Sequence, residues 1–178
     1  MTTMDGPVDV VVAAFDDEQG ANNALHQLRT AHSEGLIKIK DAAVLRRDPD
    51  NKLHIADTTD KGMGRGAILG GVAGAVVGLI AGPIGWATLG GAAVGGLAAK
   101  LRDGGFKDSR LKEIGESVKP GTSAIVAVVE EEWVRKVEDL IREEAADIAT
   151  EAISADVAAQ LEVEGEKLQG DQGATRAA

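Results

Sequence analysis

The chain has 178 residues, a formal net charge of -10 at pH 7 and no cysteine. Without cysteine, disulfides, thiolate metal sites and cysteine nucleophiles are excluded. The excess of acidic residues argues against a nucleic-acid partner, because phosphate neutralisation requires clustered Lys and Arg, whereas the basic residues here are scattered among acids.

The N-terminal third predicts a strand, a helix and two further strands. Residues 1–6 lack the basic start and apolar run of a secretory signal, so we expect the chain to begin in the cytoplasm. Val8–Phe15 is a valine-rich run typical of a strand buried on both faces. Asp16 and Gln19 predict a capping box for a helix that ends near Gly35. The next strands are predicted at residues 36–45 and around residues 53–55, with a turn at residues 48–51.

The longest apolar stretch, residues 62–101, predicts a helical hairpin. Small residues recur every fourth position on both sides of Gly82 and Pro83, where we expect a turn because proline cannot continue the first helix. Residues four apart share one helix face, so the pattern forms two smooth stripes. We interpret the stripes as a self-association surface of Gly62, Gly66, Gly70, Gly74, Gly78, Gly82, Ala87, Gly91, Gly95 and Ala99.

A glycine stripe needs a packing partner. Each glycine in a helix interior costs about 1 kcal/mol relative to alanine, so close packing must offset the loss. Small residues spaced by three let two helix backbones approach closely, which is the usual packing device of membrane helices. The partner is either the other arm of the hairpin or another subunit.

The chain after the hairpin predicts alternating helices and strands. A short helix begins at Asp108 or Ser109, and an apolar strand follows at residues 123–129. An amphipathic helix runs from Glu131 to about residue 146, followed by a strand at residues 148–154 and a last helix at residues 156–168. We expect the tail from Gly170 to be disordered.

Removing the hairpin leaves the order β-α-β-β-α-β, the pattern of a ferredoxin-like α+β sandwich. This interpretation divides the chain into five segments. They are a first part of the sheet domain (7–60), the hairpin insertion (62–101), a second part of the sheet domain (106–155), a C-terminal helix (156–169) and the tail (170–178).

The chain resembles a bacterial family of uncharacterised membrane proteins, domain of unknown function 1269. The resemblance lies in VVVAAFDDEQGANNALHQLR, GLIKIKDAAVLRRD, the glycine-rich hairpin, LKEIGESVKPGTSAIVAVVEE and IATEAIS, which together cover most of the chain. It implies a membrane-associated or oligomeric protein with a link to stress, and it supplies no catalytic residues. The hairpin is richer in Gly and Ala, and poorer in Phe and Leu, than a typical membrane span.

Two sequence motifs suggest ligands without completing their signatures. Residues 62–67 fit the loose dinucleotide fingerprint G-x-G-x-x-A, but no acidic residue follows about 20 positions on to hold a ribose. Asp48, Asp50 and Asp60 suggest a calcium loop, but Lys52 stands at a ligand position and no glutamate closes the loop. We therefore expect no cofactor and a solvated turn.

Metal and catalytic sites have no credible residue set either. His26, His32 and His54 lack metal-ligand spacing, and the chain contains no G-x-S-x-G or phosphate-binding loop. We expect surface histidines, no metal and no enzymatic activity.

Length and flanking charge favour a hairpin that enters a membrane and returns. Each arm offers about 24 Å of helix against a hydrocarbon thickness of about 30 Å, so spanning is marginal. The basic residues all flank one end of the hairpin, which the positive-inside tendency places in the cytoplasm, and Trp86 lies near the tip, suited to an interface. The flanking residues are Lys61, Arg65, Lys100 and Arg102.

The sequence thus favours a non-enzymatic inner-membrane protein, with both termini cytoplasmic and self-association through the glycine-zipper hairpin. A second interpretation is a soluble cytoplasmic homo-oligomer with the hairpins buried between subunits, because an exposed apolar hairpin is too large a patch for a monomer. A small-ligand regulatory role for the sheet domain is a third.

Overall fold

A computed structural model describes residues 7–57, 71–88, 99–103 and 109–176. These residues form an α+β fold around one five-stranded antiparallel sheet with the strand order β3-β2-β4-β1-β5. The strands are β1 (Val8–Phe15), β2 (Ile39–Arg47), β3 (Leu53–Asp57), β4 (Thr122–Glu130) and β5 (Asp147–Ile153). The helices are α1 (Gly20–Ser33), α2 (Gly71–Thr88), α3 (residues 99–103), α4 (Ser109–Ser117), α5 (Val134–Ile141) and α6 (Ala155–Arg176), with a 3-10 turn at Glu131–Trp133.

The middle of the sheet is apolar on both faces. β1 and β4 pair along their whole length, with Val10 opposite Val128 and Val12 opposite Val126. Nearly all of their side chains are buried, as expected for strands that carry apolar residues at consecutive positions. Because successive side chains point to opposite faces, these strands require a helical layer on each side.

One face of the sheet is covered by α1 and α5, which we call the α1–α5 layer. Its core combines the odd-numbered residues of β1 with small and aliphatic side chains of the two helices. Leu28 of α1 and Ile141 of α5 are among the largest fully buried side chains. The outward-facing side chains of both helices are mainly polar, so no further layer is needed outside them.

The opposite face is covered by α2, α3, α4 and α6, which we call the α2 layer. Its core combines the even-numbered residues of β1 with Leu101, Ile114 and Leu161, one from each of α3, α4 and α6, and with the apolar residues of α2. α2 lies against β2 and β4 and also contacts α4 and α6. Residues 72–80 and Leu101 of the predicted hairpin are thus part of the monomer's core.

The strand order differs from that of a ferredoxin-like unit in which β3 is the third strand, as the sequence predicted. A ferredoxin-like unit of β1, α1, β2, β3, α4 and β4 would place β3 between the first two strands. Instead β4 lies between β1 and β2, and β3 is an edge strand that pairs with β2.

Two local predictions were wrong. α1 begins at Gly20 without a capping box, and Asp17 Oδ1 accepts the backbone N–H groups of Gln19 and Gly20, each at 2.7 Å. The turn predicted at Gly82 and Pro83 is absent, because α2 continues to Thr88.

The ends of three other elements differ from those predicted. α5 ends at Ile141, earlier than expected, and β2 begins at Ile39. α6 extends to Arg176, past Gly170, where we expected the ordered chain to end.

Candidate functional site: the buried glycine-rich helix

The predicted self-association residues fall partly inside the described structure. Gly74 and Gly78 are buried in α2, and Ala99 is an exposed residue of α3. Gly82, Trp86 and Ala87 belong to the backbone of α2. Gly62, Gly66, Gly70, Gly91 and Gly95, with the flanking Lys61 and Arg65, lie outside the described residues.

The N-terminal half of α2 is buried on every side. Nine consecutive residues, from Val72 to Ile80, are all buried. Nine residues make two and a half turns of helix, so no direction around the axis is left to solvent. A helix that is apolar all round requires such complete cover in water.

α6 provides the outer cover of α2. Ala158 and Leu161 are fully buried in the core shared with α2, and Val157 packs against that core. Glu162 Oε1 accepts the backbone N–H of Val72 at 3.3 Å. The carboxylate lies at the second residue of α2, where the helix dipole favours negative charge.

An ion pair joins α6 to α3. Lys100 Nζ lies 3.1 Å from Glu164 Oε1, and Lys167 approaches the same oxygen at 3.5 Å. The hydrogen bond and charge of Lys100 lower the pKa of Glu164. Two of the predicted flanking cations lie in the described residues: Lys100, which is bound to α6, and Arg102, which is an exposed residue of α3.

α4 approaches α2 through a glycine that the sequence argument did not single out. A Cβ atom at Gly115 would lie 2.6 Å from the carbonyl oxygen of Ile80 and 3.0 Å from its Cα. Only glycine permits this backbone contact. Gly115 lies outside the four-residue repeat, so the repeat gave no signal of its role.

The histidines stabilise loops where the structure describes their contacts. His54 Nε2 lies 2.8 Å from Asp48 Oδ2, and this hydrogen bond lowers the pKa of Asp48. His32 Nδ1 accepts the backbone N–H of Ile39 at 3.1 Å. No cluster of three His, Cys, Asp or Glu within the described ranges is placed to hold a metal ion.

A pocket of about 300 Å³ with both polar and apolar lining residues lies beside the start of β2. The register of β2 against β4 shifts between Ile39 and Asp41, which leaves Lys40 as a bulged residue. Lys40 Nζ is 2.7 Å from Glu130 Oε1 and lowers the pKa of that carboxyl. The pocket, which we call the bulge pocket, is lined by Leu25, Arg29, His32, Ile39, Lys40, Asp41 and Ala42. Sequence reasoning missed it because a register shift leaves no trace in hydrophobic alternation.

The DUF1269 family, described as proteins of unknown function, matches residues 67–164, more than half of the chain. The chain belongs to the DUF1269 family. No curated protein and no solved structure matches it.

The region matched by DUF1269 contains α2, α4, β4 and the start of α6, whereas β2, which also contacts α2, precedes it. It runs through α4, β4 and β5 and ends at Glu164, the partner of Lys100. The family region therefore includes the segment of α6 whose side chains contact α2 and α3.

No helix in the described part of this DUF1269 protein is both long enough and apolar enough to cross a membrane.

Proposed function

We propose that this DUF1269 protein is a non-enzymatic, membrane-associated protein that stores its glycine-zipper hairpin against the sheet and exposes it for self-association at a membrane. The observation that carries the proposal is the complete burial of Val72–Ile80 beneath α6. A helix apolar all round suits either a covered core or a lipid environment. The same segment can therefore serve both states if its cover moves.

We infer that α6 can detach from α2 without global unfolding. Among the α6 residues whose burial the structure describes, the fully buried apolar side chains are Ala158 and Leu161. Burying a leucine contributes roughly 1.5–3 kcal/mol, whereas a whole domain is stable by about 5–15 kcal/mol. Detachment of α6 is thus a local opening of the kind that proteins undergo below the cost of unfolding.

Vesicle flotation of the Leu161→Asp variant tests this proposal. A charge at the buried Leu161 should detach α6, and we expect binding to vesicles with roughly one third anionic phospholipid to rise severalfold over the unaltered protein. Val163→Asp is the matched control, because Val163 lies on the same helix and is exposed.

A circular dichroism spectrum must first show that Leu161→Asp keeps its fold. A folded Leu161→Asp variant that binds vesicles no better than Val163→Asp contradicts the proposal. Assembly of the folded Leu161→Asp variant without vesicles, at concentrations where the unaltered protein and Val163→Asp do not assemble, would instead favour a soluble oligomer built by the hairpins.

We further propose that β1, α1, β2, β4, α5 and β5 constitute a ferredoxin-like unit. The support is the interleaving of two units, β1-α1-β2 and β4-α5-β5, in the strand order β2-β4-β1-β5. α1 and α5 also lie on the same face of the sheet. In this description β3, α2, α3 and α4 are inserted between the second and third strands of the unit.

The bulge pocket supports a second candidate function, a small-ligand regulatory module. The pocket lining combines the basic side chains of Arg29, His32 and Lys40 with one acidic residue, Asp41, and with apolar residues. The excess of basic side chains suits a small organic anion. Thermal unfolding in the presence of a panel of short carboxylic acids tests this function, because a ligand that binds only the folded state raises the midpoint. Arg29→Gln should abolish any such shift. Arg142→Gln, a charge-matched change directly after α5, should leave it intact.

A further inference from the structure

Large apolar side chains are exposed at three described positions, and two of them lie together. Leu36 is 56% exposed, Leu140 is 39% exposed and Val163, on α6, is 51% exposed. Leu36 and Leu140 line one groove of about 280 Å³ between the end of α1 and α5, together with Ala31, Ile37, Lys136 and Asp139. This Leu36–Leu140 groove lies in the α1–α5 layer, on the opposite side of the sheet from α2.

Leu36 is held in its exposed position by the end of α1. Gly35 adopts a positive φ of 74°, and its N–H donates to His32 O at 3.1 Å. The N–H of Leu36 donates to Ala31 O at 2.9 Å. This is a Schellman motif, in which the residue at the position of Leu36 commonly packs back on the helix. Here the same residue is presented to solvent on a fixed backbone.

We propose that the Leu36–Leu140 groove docks a second copy of this chain in a two-fold symmetric dimer. The charge of the groove lining is the reason for proposing a second copy as the partner. The groove is lined by one cation, Lys136, and one anion, Asp139, so its lining is neutral in a chain of net charge -10. A neutral face is where two such acidic molecules meet with the least repulsion.

The rim of the groove is self-complementary. In a two-fold dimer, residue i contacts residue j of the other copy and the reverse contact also forms. Lys136 and Asp139 are three positions apart on one face of α5. Two antiparallel copies of α5 therefore place each Lys136 opposite the other copy's Asp139, while the leucines of both grooves are buried between them.

This dimer does not depend on the hairpin. It forms through the layer opposite α2 and needs neither a membrane nor the movement of α6. A failure of the dimer leaves the stored hairpin untouched, and a failure of vesicle binding by Leu161→Asp leaves the dimer untouched. The two proposals are therefore tested separately.

Sedimentation equilibrium of the full chain without lipid tests the dimer. Two leucines in each copy make a small interface, so we expect a weak dimer with a Kd of about 10–100 μM. Leu36→Lys and Leu140→Lys should each raise the Kd at least about tenfold. Val163→Lys is the control, because it replaces an exposed apolar residue outside the groove and should leave the Kd unchanged.

A charge exchange distinguishes this arrangement from simple apolar association. Lys136→Asp and Asp139→Lys should each raise the Kd severalfold, because each places like charges across the dimer. The double variant should restore the original Kd. Lys136 also lies 4.8 Å from the Trp133 ring centre, so the thermal midpoint of each variant is measured alongside.

Three outcomes overturn the proposal. They are a monomer at all concentrations up to about 1 mM, a dimer that Leu36→Lys and Leu140→Lys leave intact while folded, and a dimer whose Kd the double charge exchange fails to restore.

Discussion

The two helical layers of the sheet solve the same packing problem with different sequences. In the α1–α5 layer each helix buries one face and exposes mainly polar side chains on the other, with Leu140 of α5 as an exposed apolar residue. In the α2 layer, α2 has no polar face over residues 72–80 and is itself covered by α4 and α6. An amphipathic helix can lie between the core and water, because one face is apolar and the other is polar. A helix that is apolar all round must be covered on its outer side by further protein or by lipid.

The largest expected difference between the layers is their tolerance of charge. Val76→Asp and Val77→Asp should each destabilise the fold by at least about 4 kcal/mol, because a buried carboxylate there has no partner. The two side chains point about 100° apart around α2, so both changes are severe only if the helix is covered on both sides. Urea unfolding measures the effect.

Asn23→Asp on the exposed face of α1 is the control, with an expected change within about 0.5 kcal/mol. A mild effect at Val76 or Val77 would mean that α2 has an open side in solution.

Sequence periodicity was sufficient where local chemistry decides the structure. The valine run gave β1, and the alternation around Leu53 gave β3. It failed where distant residues decide. Ser123 of β4 donates its hydroxyl to Asp17 O at 2.7 Å and accepts the N–H of Ala21 at 3.0 Å, a contact across more than 100 residues. No local signal reveals that partner.

The glycine stripe shows the same limit. The repeat predicted an apolar helix with a close-packed face but left the partner open between the other arm and a second subunit. The described part of α2 packs on the sheet, α4 and α6. The burial of residues 72–80 stabilises the helix, and α2 continues through Pro83 despite a local cost of about 3 kcal/mol. Self-association through the stripe stays a prediction.

Gly115 tests how closely α4 approaches α2. Gly115→Val should destabilise the fold by about 3 kcal/mol, because the added side chain meets the Ile80 backbone. Thermal or urea unfolding measures the loss. Trimming Ile80 to alanine should not rescue it, since the nearest atom is the carbonyl oxygen.

Glu116→Val, at the exposed neighbouring position of α4, should have little effect. Equal effects at Gly115 and Glu116 would show that helix propensity, and not the contact with α2, sets the cost.

The α1–α5 layer has its own long-range anchor in Ser123. Ser123→Ala should cost about 2 kcal/mol, because it leaves the buried N–H of Ala21 without its acceptor. Ser33→Ala is the control, since the Ser33 hydroxyl is exposed and bonds only within its own helix in the described structure. Hydrogen exchange adds a sharper readout: the first turn of α1 should lose protection before α2 does. Uniform loss in both layers would contradict a local role for Ser123.

The smallest expected effect is at Asp9, at the end of β1 that faces the α1–α5 layer. Burial raises the pKa of Asp9, and the charges of Glu131 and Glu138 raise it further. Since the pKa of Asp9 is higher in the folded protein than in the unfolded chain, the folded state binds the proton more tightly. The folded state therefore loses stability as the pH rises from the unfolded-chain pKa to the folded-state pKa of Asp9. Asp9→Asn should therefore stabilise the fold at neutral pH by no more than about 1 kcal/mol, because Asp9 is only partly buried.

The gain from Asp9→Asn should vanish below pH 3.8, the ordinary pKa of an aspartate, because both proteins are then neutral at this position. Thermal midpoints between about pH 3 and pH 7 measure the interval. Asp16→Asn removes the same formal charge from an exposed loop and controls for net charge alone. Glu131→Gln should bring the folded-state pKa of Asp9 closer to its unfolded-chain value, since it removes one of the two charges that raise the pKa of Asp9. Equal stabilisation by Asp9→Asn and Asp16→Asn at every pH would mean that the α1–α5 layer does not bury the Asp9 carboxylate enough to raise its pKa. The tolerance of charge would then differ between the two layers only at α2.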